Sequence, residues 1–232
     1  MKRKRRGTVK ETPGRARITG WPHGHRRAFE RLTTRSRGKG GDLLSRITPH
    51  EAAAILRVLL ERHSELHGEA EEVAKAMVTD VQVEDVAEAV EQAVLGLDLD
   101  DLNARAGRHS WGYVEPSEAA WELLEEELNP FLDDMKRHIE LGFERAAVTT
   151  CQGTVLGLYR VRGKNPDQVL GWAEDFPAEM AAQAAATLAR ESSAKRGRGW
   201  RLSESFIAQV PDWGEMLDRA TRKGTGRPST RT

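Results

Sequence analysis

Charge is sorted along this 232-residue chain, and the sorting limits where a packed core can form. Residues 1–40 carry 14 Lys+Arg against two acids, Glu11 and Glu30, a net of +12. Residues 41–189 carry 12 Lys+Arg against 29 Asp+Glu, a net of −17, and residues 190–232 carry ten against five, a net of +5. The whole chain therefore sums to zero while each part is strongly biased. Charge blocks of this kind mark arms rather than cores. In the first block the cations are interleaved with Gly7, Pro13, Gly14, Gly20, Pro22 and Gly24, which leaves too little apolar surface to offset the entropy of ordering. The pattern predicts a disordered basic arm over 1–40, an acidic helical domain over 41–190, and a basic C-terminal segment over 191–232. That last segment is expected to hold one or two short helices and to end disordered from Arg222.

Several classes are excluded by what the chain lacks. It has no apolar run of 18 or more residues, the length a bilayer-spanning helix requires. Its first ten residues, MKRKRRGTVK, lack the apolar stretch of a secretory signal, so a cytoplasmic location is expected. The lone cysteine, Cys151, rules out an internal disulfide and a cysteine-rich zinc site.

Between the arms, helix punctuation is dense. Thr48, Pro49 and Glu51 form a capping box with proline at the first helical position. Ala52, Ile55, Leu56, Leu59, Leu60 and Leu66 then trace one buried face, with Gly68 placed to end the helix. A partner helix over about 69–78 is expected to fold back as an antiparallel hairpin. A further stripe runs from Val83 through Val86, Val90 and Val94 to Leu97, and a short helical turn follows near Asp100 to Ala106. Pro116 opens another helix, and Asn129-Pro130 is expected to stop it and start the next. Gly142 closes that one. The least polar helix spans 144–161, and an alanine-rich helix runs from Pro177 to about Arg190. No segment alternates convincingly with period two, so no sheet is expected. The fold class is all-α: an irregular array of antiparallel helical hairpins, as a bundle or a short solenoid. The helices around Phe131 to Tyr159 resemble tetratricopeptide or HEAT-type hairpins in outline, without the fixed repeat period of a regular solenoid.

Candidate sites come from residue types that carry chemistry. Cys151 would need a nearby base to act as a nucleophile, and no charged residue stands within several positions of it, so a buried small residue beside Gly153 and Gly157 is expected. His63 and His67 are four apart, yet ERHSELH is not the zincin HExxH pattern, and a solvated helix end is expected with no metal. His109 and His138 are possible further ligands whose convergence no spacing reveals. Asp98, Asp100 and Asp101 lack the glycine and terminal glutamate of a calcium loop. Phosphate-binding glycine motifs and a nucleophile elbow are missing, so no cofactor is implied.

Tryptophan placement is unusual, because five of six, Trp21, Trp111, Trp172, Trp200 and Trp213, adjoin a glycine. The loop from Arg105 to Pro116 gathers Arg105, Arg108, His109, Trp111 and Tyr113, cations beside flat rings, as a partner-binding surface. Near the other end Arg198, Trp200 and Arg201 repeat that mixture, and with Lys2, Arg3, Lys4, Arg5 and Arg6 they form the candidate nucleic-acid contacts. These features together point to a non-enzymatic helical adaptor, its acidic body binding protein partners and its basic arms contacting nucleic acid. The competing expectation is an enzyme with an inter-helix pocket built from Arg105, His109, Tyr113 and Cys151. A third lets the basic arms fold back onto the acidic body.

Overall fold

A computed structural model describes residues 43–44, 46–110 and 112–225. The expected arm over 1–40, the end of the chain beyond 225, and Trp21 and Trp111 lie outside the described residues.

The architecture is all-α with one small hairpin of strands. Helices α1 (Pro49–Arg62) and α2 (His67–Thr79) come first, joined by a 3-10 turn over Ser64–Leu66. Next are α3 (Val83–Leu95) and α4 (Leu99–Arg105), then strands β1 (Gly107–His109) and β2 (Gly112–Val114). The long helices α5 (Pro116–Leu141), α6 (Glu144–Val161) and α7 (Phe176–Arg196) follow, and the short α8 (Glu204–Ile207) and α9 (Gly214–Thr225) finish the described chain.

Local chemistry explains most boundaries. The Thr48 hydroxyl accepts from the Glu51 amide at 3.3 Å while the Glu51 carboxylate accepts from the Thr48 amide at 2.7 Å, the reciprocal pair that satisfies two orphan donors. Asp98 does the same for α4, accepting from the amides of Asp100 and Asp101, which gives the LDLDD cluster a capping role. Gly142 closes α5 in the left-handed region, φ 81°.

The core is built around α6. It packs against α3, α5 and α7, and Ala147, Cys151, Val155 and Leu158 along it are fully buried. Gly153 and Gly157 face α3. A Cβ added at Gly157 would lie 2.7 Å from the Ala87 carbonyl oxygen and from Val90 Cβ, and one at Gly153 would lie 2.8 Å from the Val83 carbonyl oxygen. The two helices approach closely because these positions have no side chain.

Four expectations are corrected. The segment 49–79 is not an antiparallel hairpin: α1 and α2 follow one another through a kink at His63 (φ −128°, ψ 75°), Gly68 lies inside α2, and neither helix has a buried residue. The stripe Ile55, Leu56, Leu59 and Leu66 is exposed rather than buried, since no other part of the described chain covers it. Helix α5 runs unbroken through Pro130, which sits on its exposed side. A two-stranded sheet does occur, in the segment read as a loop.

The C-terminal segment is not separate from the body either. Helix α7 continues six residues past Arg190 to Arg196, α9 packs along α7, and Trp200, Phe206, Val210, Trp213 and Leu217 join the same core as α6. Residues 222–225, read as disordered, are helical.

Replacing Gly157 with Ala should destabilise the protein by about 1–3 kcal/mol through overpacking, more than the ~1 kcal/mol that alanine gains in a helix interior. Urea unfolding followed by circular dichroism measures the difference, and an unchanged or raised midpoint would refute the close-packing account.

Candidate functional site

The segment Arg105 to Pro116 is shaped by two glycines. Gly107 (φ 100°) and Gly112 (φ 152°) take backbone conformations that side chains disfavour, and between them the chain reverses into the β1–β2 hairpin. Register pairs Gly107 with Val114, Arg108 with Tyr113 and His109 with Gly112. Directly opposed residues share one face, with Cβ atoms ~5 Å apart, so Arg108 and Tyr113 stand side by side. Both are exposed, Tyr113 at 62%.

Arg105 does not belong to that face. Its Nη1 and Nη2 donate to the Glu126 carboxylate at 2.8 and 2.9 Å, with Glu122 at 3.6 Å, a two-pronged clamp of the hairpin's root onto α5. The hydrogen bond to Glu126 holds the Arg105 guanidinium above its already high range. His109 donates from Nε2 to the Arg105 carbonyl oxygen at 2.7 Å and is half-buried. The five residues expected to act together therefore divide: Arg105 and His109 brace the hairpin, Arg108 and Tyr113 face solvent, and Trp111 is outside the described residues.

The C-terminal trio divides too. Gly197 (φ 75°) ends α7, after which Arg198 reaches back to Glu144 at 3.3 Å. Trp200 is 95% covered, and its backbone amide donates to Ser192 Oγ at 2.7 Å. Its ring fills the core, so it is no platform for stacking bases, a correction to its reading as a nucleic-acid contact. Arg201 remains exposed. Lys2, Arg3, Lys4, Arg5 and Arg6 lie outside the described residues.

Cys151 is fully buried, and burial pushes its thiol up to about 12. His138, read as a possible ligand, is a buried tie instead: its Nε2 donates to the Val78 carbonyl oxygen at 3.0 Å and its Nδ1 lies 3.2 Å from the Thr150 hydroxyl. It fastens the end of α2 to the α5–α6 pair. His63 is exposed with Nδ1 3.1 Å from Glu65, and His67 opens α2 rather than closing α1. Among the described residues, no group of three or more His, Cys, Asp or Glu side chains could hold a metal ion.

A groove missed in the sequence lies along α3. Glu84, Glu88 and Glu91 line it with Gln92, Leu95 and Arg160, enclosing about 620 Å³. Arg160 donates to Glu84 at 2.8 Å and to Glu91 at 3.4 Å, and Lys164 donates to Glu91 at 3.1 Å, so cations of α6 and its C-terminal turn bind α3 electrostatically. Spacing of the three glutamates at positions 84, 88 and 91 was the available signal, concealed by the many other acids.

Compared with protein-family models, curated proteins and solved structures, the chain finds no match.

With its thiol held far above neutral pH, Cys151 is protonated and shielded at pH 8. A thiol reagent at that pH should leave the native protein unmodified over a time in which the urea-unfolded chain reacts completely. Rapid labelling of native protein would contradict the burial.

Proposed function

We propose that the protein is a non-enzymatic interaction module whose acidic helical body docks protein partners and whose basic arms engage nucleic-acid phosphates. The observation that carries the first half is the exposed Arg108–Tyr113 pair on a hairpin braced by the Arg105–Glu126 clamp. A ring and a guanidinium presented on a rigid support lose little entropy on binding, and Tyr and Arg are the residue types that dominate interface energetics. The second half rests on the +12 charge of residues 1–40. Residues proposed as the alternative enzyme's machinery do not converge: Cys151 is in the core, Arg105 is clamped to Glu126, and Tyr113 points to solvent. No specific observation favours that alternative.

Two measurements test the two halves separately. Anisotropy of a labelled 20-nucleotide RNA and of a matching DNA duplex should show binding at 25 mM salt that weakens steeply by 200 mM. Replacing Lys2, Arg3, Lys4, Arg5 and Arg6 with serine should then lower the log–log salt slope by about 4, near 0.7–0.9 per lost phosphate contact. An absence of binding at low salt rejects the nucleic-acid half. For the protein half, a photoreactive phenylalanine analogue at position 113 should yield a discrete adduct in lysate that survives nuclease and disappears with Arg108→Glu. Failure to form any adduct rejects Tyr113 as a docking point.

A further inference from the structure

The α1–α2 arm carries a row of apolar positions that stand mostly exposed, with Ala70 and Met77 partly covered where the end of α2 is tied to α5 and α6. Leu56, His63, Ala70 and Met77 recur every seven residues, and so do Ala52, Leu59, Leu66 and Val73. Within α1 the positions 52, 56 and 59, and within α2 the positions 70, 73 and 77, are spaced by fours and threes, the spacing by which one helix face meets another in a coiled coil, while His63 (φ −128°, ψ 75°) and the 3-10 turn over Ser64–Leu66 separate the two halves. Leu56 is 51% exposed, Leu59 43% and Val73 39%, and no residue of either helix is buried. A helix pair with that much uncovered apolar surface is marginal by itself.

We propose that the occupant of this seam is a second copy of the chain, paired antiparallel so that α1 of each copy lies on α2 of the other. The register is fixed by facing positions whose numbers sum to 129. Leu56 then meets the partner's Val73, Leu59 the partner's Ala70 and Ala52 the partner's Met77. Each alanine is filled by a larger side chain, which a parallel pairing cannot do because it sets Ala52 against Ala52 and Ala70 against Ala70. Flanking the seam, Arg62 falls beside the partner's Glu69, and symmetry makes that opposite-charge contact twice. In the parallel arrangement Arg62 would instead lie beside the partner's His67. The two-fold axis falls between Ser64 and Glu65, inside the 3-10 turn, so the two kinks coincide and each straight half-seam has a straight partner. Each half-seam is about 20 Å long at 1.5 Å per residue, and covering both halves on both copies removes on the order of 1,000 Å² from water, the size of a weak, reversible interface.

Sedimentation equilibrium of the full chain between 1 and 100 µM should give a species of twice 25.9 kDa. Leu59→Glu, at an exposed position, should weaken association about 100-fold or more while leaving the helical circular dichroism unchanged. Arg62→Glu or Glu69→Arg alone should raise the dimer dissociation constant about 10-fold, and the two together should restore it. A monomer at 100 µM, a dimer indifferent to Leu59→Glu, or charge reversals without mutual rescue would each overturn the proposal. A monomer would leave residues 1–42 or an unrelated protein as the occupant of the seam.

Discussion

The approach of α6 to α3 across Gly153 and Gly157 sets the spacing on which the rest of the body depends. With no side chain at either position, the α3 backbone near Ala87 and the branched carbons of Val86 and Val90 rest against the α6 backbone. That leaves the other faces of α6 to α5 and α7, so one helix is enclosed on several sides. Enclosure requires that its polar atoms be satisfied locally. Thr150 and Thr154 donate their hydroxyls to the Ala146 and Thr150 carbonyls one turn back, at 3.0 and 2.9 Å, which lets hydroxyls sit in an apolar centre without an unsatisfied donor. Ser192 likewise donates back to Leu188 and accepts from the Trp200 amide, holding the chain after α7 against the core.

What the sequence made legible were features decided within a few residues, though not all of them: the reversal between β1 and β2 and the Asp98 cap are equally local and were not read. The Thr48–Glu51 box, the closure at Gly142 and the stripe of α3 each depend on neighbours in the chain, and each is present. The expectation that Cys151 is a buried small residue held for a similar reason, since no charged residue stands near it along its own helix. Decisions settled at long range were not legible. Pro130 looked like a break because its cost is local, whereas the burial of Leu128, Phe131 and Leu132 around it is tertiary. Trp200 looked like a recognition residue because Arg198 and Arg201 flank it, but its burial depends on Ser192 eight residues away and on a core that no local pattern announces. A leucine stripe specifies that a face will be covered without specifying by what, and the α1 stripe was assigned to a neighbouring helix that in fact continues along the chain.

The same distinction applies to the candidate site. Composition marked Arg105 to Tyr113 as one surface, while the register of a two-stranded hairpin separated it into a brace and a presented pair. Charge shows a parallel division. Arg105 and Arg160 are held by two acids each, Arg162 by Asp212 at 2.7 Å, and Lys164 by Glu91. These cations serve cohesion between elements, so they neutralise part of the body's excess internally and do not create a basic face on it. The strongly basic sequence is left to the chain before α1.

Position then links the two proposals. Residues 1–40 precede α1 in the chain, and antiparallel pairing of the arm would set the two α1 N-termini at opposite ends of the paired arm. The two +12 segments are then joined to the dimer at opposite ends, so their mutual repulsion opposes pairing less than if they were joined at one end. The same separation suits them to one extended polyanion: once the first arm is bound, the second meets the strand at an effective concentration fixed by the seam rather than by the bulk. Parallel pairing would instead bring both basic segments to the same end, where their repulsion would oppose the dimer. Charge placement therefore favours the orientation that side-chain volumes and the Arg62–Glu69 contact select, on grounds independent of either.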